Sequence, residues 1–296
     1  MDLVDLPKSS ESSVQDMSMR TGSEAGLVEV GTAEYERLIP RLGRLGLNTM
    51  FARAVLARDA PGRVFVSSGE SPASAVAYVV HGYGMSLLFC DGDSSQVTDR
   101  HLSEILGMHR SAAEWLQVWP APLAARFAAR SASWVSSDAV RVEQHTRVNF
   151  EFSPTTYLAR RPRLSENDHR IVWADRSVFS MTGSVVPSAF WKDADHFLGS
   201  GAGFAVLVDD EPASLAFSSF VTSAQLEIGV ETVERHRGRG LAALACAALV
   251  DHCLARGLEP VWACRRGNTA SHRLAESLGF VPVRHLPYFR LPPTPR

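Results

Sequence analysis

The stretch Arg237-Gly238-Arg239-Gly240-Leu241-Ala242 is preceded by Gln225-Leu226-Glu227-Ile228-Gly229-Val230-Glu231-Thr232 and followed by an Ala- and Leu-rich run from Leu241 to Arg256. The alternation of the first segment predicts a strand. The run, closed by Gly257 where helices commonly stop, predicts a helix. A strand, a glycine turn with two arginines and a helix N-terminus together describe an anion cradle. Glycines let the backbone approach a phosphate, first-turn N–H groups lack helical partners, and the helix dipole favours negative charge. A plain strand-to-helix turn with surface arginines has the same local sequence, so the reading needs support from the rest of the chain.

The chain has 296 residues, enough for two ordinary domains or one large one. An apolar share of 45% and a charged share of 21% describe a globular protein. With 30 Lys+Arg against 32 Asp+Glu the net charge is -2, which argues against a nucleic-acid partner held by bulk charge. Cys90, Cys246, Cys253 and Cys264 form neither a CxxC pair nor a Cys/His metal spacing, so they read as reduced core thiols and no metal is expected. No run approaches the roughly 18 apolar residues of a membrane span, and the acidic, serine-rich start is unlike a signal peptide. The expectation is a cytoplasmic protein with no membrane partner.

Upstream of the loop, residues 1–25 read as a disordered tail and residues 26–150 as an N-terminal α/β domain. Helices are expected over Ala33–Leu45, from Asn48 onward, near Asp99–Met108 and over Leu123–Arg130. Strands are expected at Val64–Val66, Ala75–Val80, Met85–Phe89 and Glu114–Trp119. A second domain, 155–296, reads as a basic strand at Tyr157–Leu164 and a helix from the Ser165–Asp168 cap to about Phe179. A short helix near Ala189–Leu198 and a hairpin of Phe204–Val208 with Ala213–Val221 follow. Beyond the opening strand, loop and helix come a strand at Glu259–Cys264, a helix at Ser271–Ser277 and a strand at Val283–Leu291. The fold class is α/β with a mixed sheet.

The halves repeat. Val64–Gly92 aligns without gaps on Phe204–Thr232 at a constant offset of 140, with Pro72-Ala73-Ser74 on Pro212-Ala213-Ser214. Each segment leads to a Trp-bearing strand, Trp119 in one and Trp262 in the other. The first copy has Asp93-Ser94-Ser95-Gln96 where the glycine–arginine loop would stand, so only the second copy can bind an anion this way.

The C-terminal half resembles the GNAT superfamily, the GCN5-related N-acetyltransferases. Arg237-Gly238-Arg239-Gly240-Leu241-Ala242 fits the family's Arg/Gln-x-x-Gly-x-Gly/Ala loop, and Asn268, Ser271 and Leu278-Gly279-Phe280 fit its late signature of an Asn and a short helix ending in Gly-Phe. Upstream, a strand, two helices and a hairpin stand in the family's order. A narrower likeness, carried by Phe197-Leu198, Glu227–Thr232, Gly240-Leu241-Ala242 and Leu274-Ala275-Glu276, is to the subgroup containing the zwittermicin A resistance acetyltransferase. The resemblance implies a GNAT fold in the C-terminal domain, and the internal repeat would make the N-terminal domain a degenerate GNAT-like copy. It also implies acetyl-CoA as acyl donor and an amine-bearing small molecule as acceptor. A longer acyl-CoA, a peptide acceptor, or a CoA-binding regulatory module without turnover stand as alternatives. The sequence leaves the acceptor and the oligomeric state open.

Residue by residue, the resemblance implies that Gly238–Ala242 hold the CoA pyrophosphate, that Val230, Glu231 and Thr232 meet the pantetheine arm, and that Asn268 and Ser271 flank it. Arg239, Arg265, Arg266 and Arg273 are candidates for the remaining phosphate. An amine arrives protonated, so a carboxylate must take its proton. Glu227 and Glu231 share one strand face. Glu227 stands where the family places its base, while Glu231 can bind the substrate cation. Many relatives carry a tyrosine acid five residues before the Phe of Gly-Phe; here that position is Ala275. Tyr288 or His285 can serve instead, or the thiolate leaves unassisted. His236 reads as an exposed loop residue. Phe190, Trp191, Phe197, Tyr288 and Phe289 read as core or as acceptor-pocket lining.

Overall fold

The computed structural model describes residues 26–69, 76–91, 94–134, 141–162 and 169–294. The expected tail, the Ser165–Asp168 cap and Pro72-Ala73-Ser74 lie outside them. The first half runs β1 (Leu27–Glu29), α1 (Tyr35–Leu42), α2 (Met50–Leu56), β2 (Gly62–Ser67), β3 (Ala77–His81), β4 (Met85–Phe89), α3 (Asp99–Gly107), β5 (Glu114–Trp119), α4 (Ala121–Ala132) and β6 (Glu143–Phe152). After α5 (Pro154–Arg160) the same order returns: β7 (Arg170–Trp173), α6 (Arg176–Phe179), α7 (Ala194–Ser200), β8 (Gly203–Val208), β9 (Glu211–Val221) and β10 (Gln225–Thr232). It closes with α8 (Leu241–Arg256), β11 (Glu259–Arg265), α9 (Thr269–Ser277) and β12 (Phe280–Leu291).

The described strands form one twelve-stranded sheet in the order β1-β2-β3-β4-β5-β12-β6-β11-β10-β9-β8-β7. Each half contributes five strands in matching order, with one parallel pair, β4–β5 or β10–β11. The last strand of each half is exchanged: β6 pairs with β11 of the second half, and β12 pairs with β5 of the first. The repeat therefore extends over the whole described chain, and its halves meet along β6 and β12. Three apolar clusters fill the layers. One packs α3 and α4 on the first half, one packs α8 and α9 on the second, and the third joins α1 and α2 to Phe190, Trp191 and Phe197 of the second half.

Three segments differ from the expectation. The strand expected over Tyr157–Leu164 is replaced where the chain is described, up to residue 162: α5 occupies Pro154–Arg160, because Ser153 caps it by accepting from the Thr156 N–H and Pro154 sits in its first turn. The helix expected up to Phe179 shrinks to α6, capped by Asp175, and Arg170–Trp173 pairs with β8 instead. Its apolar core, Ile171-Val172-Trp173, has the β-branched and aromatic character that suits a sheet. Glu143–Phe152 carries no element in the sequence reading, yet β6 holds the two halves together.

The Leu278-Gly279-Phe280 turn has a packing reason. Gly279 has φ +83°, and a Cβ there would stand 2.7 Å from the Tyr157 nitrogen and 3.0 Å from the Ser153 carbonyl oxygen. Gly279→Ala therefore strains the turn and pushes α5 off β12. We expect a loss of about 2–3 kcal/mol in stability by chemical denaturation; an unchanged midpoint would disprove the contact's importance.

Candidate active site

The parallel pairing of β10 with β11 covers only Gln225–Glu227. Beyond Glu227 the two strands part: β10 stays on β9 through Thr232, while Trp262–Arg265 of β11 pair with Arg147–Phe150 of β6. A register shift on the β9 side falls at the same point, between Glu227 and Ile228, and such a bulge bends and twists its strand. The fork leaves a strand edge without a ladder partner, open to an extended ligand that carries amide groups. In the first half the corresponding pair is zipped through all five residues, Met85–Phe89 against Trp115–Trp119. No fork forms there.

Past β10 the chain makes one 3-10 turn at Glu234–His236 and enters α8 through Gly238 (φ +77°) and Gly240 (φ +79°). No side chain caps α8, and nothing stands within 4 Å of where a Cβ on either glycine would lie. The first-turn N–H groups are thus presented outward. Arg237 is turned back onto the strand, donating to the Thr232 carbonyl (3.1 Å) and the Glu231 carboxylate (3.4 Å). His236 is buried rather than exposed, because its ring meets Arg235 (3.0 Å) and Arg239 (2.9 Å). In the first half, Thr98 caps α3 through a capping box with His101, and Asp99 adds a carboxylate to the first turn. That helix start is already satisfied.

Against the fork lies a cleft of about 360 Å³ whose walls include Glu227, Val230, Asn268, Ser271 and Tyr288. The loop Arg237–Ala242 stands at the end of β10, outside those walls. Asn268 caps α9 by accepting from the Ser271 N–H (3.2 Å), leaving its side-chain amide group to donate. Ser271 accepts from the Trp262 indole (3.1 Å). A larger cavity, about 630 Å³, lies between α5 and α8 and contains none of the sequence-predicted site residues.

Glu227 is 5% exposed and sits at the fork. Its carboxylate accepts from Asn48 of the first half (2.9 Å) and from Arg147 of β6 (3.3 Å). Burial pushes its pKa above the ordinary carboxylate value, with Arg147 and Asn48 pulling the other way. Glu231 is placed differently. Its carboxylate accepts from the Ser184 and Val185 N–H groups (3.0 Å each), from the Ser184 hydroxyl (3.2 Å) and from the Thr232 N–H (3.2 Å). It pins the Met181–Pro187 loop to β10. Burial raises its pKa, but these hydrogen bonds together hold it below the usual value.

Tyr288 is 3% exposed, stacked on Trp115 with ring centroids 5.1 Å apart, and lies under the Arg147 guanidinium at 5.4 Å. Burial raises its pKa, opposed by Arg147. Ala275 is fully buried in the α8–α9 core, and His285 is exposed and outside the cleft walls. Trp191, Phe197 and Phe289 are core; Phe190 is buried and also lines the cleft. Sequence reasoning missed Asn48, Tyr83, Trp115 and Arg147. For Arg147 a signal existed: Val148, Phe150 and Phe152 alternate with Arg147, Asn149 and Glu151. Burial pushes the Cys246 and Cys253 thiols well up, so neither is a nucleophile. Among the described residues no helix is long and apolar enough to cross a membrane. No group of three or more His, Cys, Asp and Glu that could hold a metal is found among them either.

Residues 46–289 match the family model described as GNAT acetyltransferase. Over 94 residues the chain is 34% identical to YdfB of Bacillus subtilis, named an uncharacterized N-acetyltransferase; the match spans 32% of this chain and 36% of that relative. The fold is similar to a GCN5-related N-acetyltransferase-like protein from Streptococcus suis, with a TM-score of 0.62, 24% identity, and 88% of this chain and 99% of that one covered. It is also similar to a tandem GNAT protein from the clavulanic acid biosynthesis pathway, with a TM-score of 0.58, 11% identity, and 92% and 99% covered. A forked β10–β11 pair beside an uncapped, glycine-led helix, in the second of two repeats, accompanies a family match over most of the sequence: the chain belongs to the GNAT acetyltransferase family.

Proposed function

We propose that the protein transfers an acetyl group from acetyl-CoA to an amine of a small molecule by direct attack on the thioester. The observation that carries this reading is the fork: β10 leaves β11 at Glu227, so the one buried carboxylate of the cleft stands where the strands part. Acetyl-CoA supplies an activated acyl thioester. Gly238–Ala242 suit its pyrophosphate, because their N–H groups are free of side-chain caps. Val230, Glu231 and Thr232 lie beyond the β10–β11 ladder and are assigned to the pantetheine arm; of the three, Val230 lines the cleft together with Asn268 and Ser271.

Glu227 takes a proton from the incoming ammonium, directly or through water, and the burial that raises its pKa makes it a stronger base than an exposed carboxylate. The amine nitrogen bonds to the carbonyl carbon, the carbon–sulfur bond breaks, and sulfur leaves with the electron pair. We assign Tyr288, which lines the cleft, to give that sulfur a proton; Arg147 over its ring stabilises the phenolate, which is restored by the second proton that the acylated nitrogen sheds. The first half closes the acceptor side with Asn48, Tyr83 and Trp115, and the reaction belongs to the cytoplasm.

Calorimetry with acetyl-CoA, followed by a thiol-release assay over an amine panel, tests the proposal. No acetyl-CoA binding would overturn it; binding without thiol release from any amine would leave a CoA-binding module. Asn48→Ala removes a hydrogen bond that favours the Glu227 carboxylate. We expect a roughly 3–10-fold loss of turnover, with the acidic limb of the pH–rate profile moved to higher pH. A profile identical to that of the unaltered protein would show that Asn48 has no such role.

A further inference from the structure

Arg147 and Arg265 are register partners on neighbouring strands, β6 and β11, so their side chains leave the same face of the sheet side by side. Like charges directly opposite one another destabilise a sheet unless something lies between them. Arg147 has a side chain only 7% exposed and lines the cleft. Its hydrogen bond to Glu227 is long, 3.3 Å, and its Nε has no hydrogen-bond partner among the described residues. Leaving a buried donor unpaired is costly, and native proteins rarely tolerate it without a reason. Arg265 also lines the cleft, held over the Trp115 ring at 4.5 Å, and makes no ion pair with a carboxylate among the described residues.

The charge balance points the same way. Glu231 is turned to the Met181–Pro187 loop, so two arginines face one carboxylate, Glu227. The cleft is locally positive on a chain whose net charge is -2. Guanidinium groups bind carboxylates with paired, charge-assisted hydrogen bonds. Because Arg147 and Glu227 are only 3.3 Å apart, a ligand meeting both must carry its opposite charges close together. Tyr83 and Trp115 supply aromatic walls for its remaining part.

We propose that the acceptor is amino-acid-like, an amine with a carboxylate one or two carbons away, its carboxylate held by Arg147 and Arg265 and its ammonium set against Glu227. This inference rests on the acetyl-transfer reading of the same cleft. Arg265 is thereby assigned to the acceptor rather than to a CoA phosphate.

The test uses matched pairs that differ only in the carboxylate: L-phenylalanine with phenethylamine, L-tyrosine with tyramine, L-leucine with isopentylamine. Thiol release from acetyl-CoA is measured for each, and calorimetry measures binding of the same compounds to the protein with and without CoA. We expect the amino acids to exceed their partners by about 100-fold in kcat/KM or in affinity. Arg265→Gln should reduce that preference about tenfold or more, through the acceptor KM and not the acetyl-CoA affinity, and Arg265→Lys should restore part of it. Partners lacking the carboxylate that do equally well, or no binding of any amino acid by a protein that binds acetyl-CoA, would overturn the inference and leave acetyl transfer standing. So would an Arg265→Gln variant that loses acetyl-CoA affinity alone. Carboxylate-dependent binding without thiol release would uphold the subsite and count against the transferase.

Discussion

Glu227→Gln is expected to lower turnover by about 10²–10⁴-fold, the range set by loss of a positioned general base, with acetyl-CoA binding retained, if Glu227 is the base of the proposed transfer. The pH profile separates this from a packing defect. In the unaltered protein, burial places the Glu227 pKa above the ordinary carboxylate value. The carboxylate is charged above that pKa and takes a proton as the pH falls through it, so kcat/KM declines on the acid side about tenfold per pH unit. The limb belongs to the protein and stays in place when the acceptor is changed, whereas a limb from the amine's own titration moves with the acceptor. Glu227→Gln abolishes the acid limb. Because the substitution leaves Arg147 without its counter-charge, denaturation of the variant is measured alongside. A folded variant with the same limb and turnover within a few-fold would remove Glu227 from the mechanism.

Gly240→Asp is expected to weaken acetyl-CoA binding by about 10²–10⁴-fold, the equivalent of losing two charge-assisted hydrogen bonds. Gly240 has φ +79° at the start of α8, and a side chain there meets nothing within 4 Å. Aspartate tolerates that backbone better than most residues, so the fold survives. Its carboxylate competes for the N–H groups that the pyrophosphate needs and repels the phosphates. The first half already carries this arrangement, since Thr98 and Asp99 occupy the start of α3. Calorimetry reads the result directly; unchanged affinity would mean that the anion binds elsewhere.

The parts of the molecule read correctly from sequence are those set by local physics. β5, β10 and α8 appear at the expected residues, because alternation, an Ala-rich run and a terminal glycine act over one or two turns of chain. The misread α5 and β7 are short segments where a cap and a sheet partner outweighed propensity. β6 escaped notice because its polar face, with Arg147 and Asn149, is buried instead of turned to solvent. A charged face is ordinarily the mark of an exposed strand.

The loop, the strand with its two glutamates and the Asn–Gly-Phe signature are contiguous or nearly so, and reading them in order along the chain is enough to reach the family they imply. The surroundings of each glutamate follow from tertiary contacts alone. Glu227 and Glu231 are four residues apart on one strand and chemically identical, yet one meets Asn48 and Arg147 and the other braces a loop. Asn48 lies 179 residues from Glu227 and Arg147 lies 80 away. The exchange of β6 and β12 between the halves brings Arg147 to the fork, and no local pattern encodes an exchange, because strand pairing depends on the whole sheet.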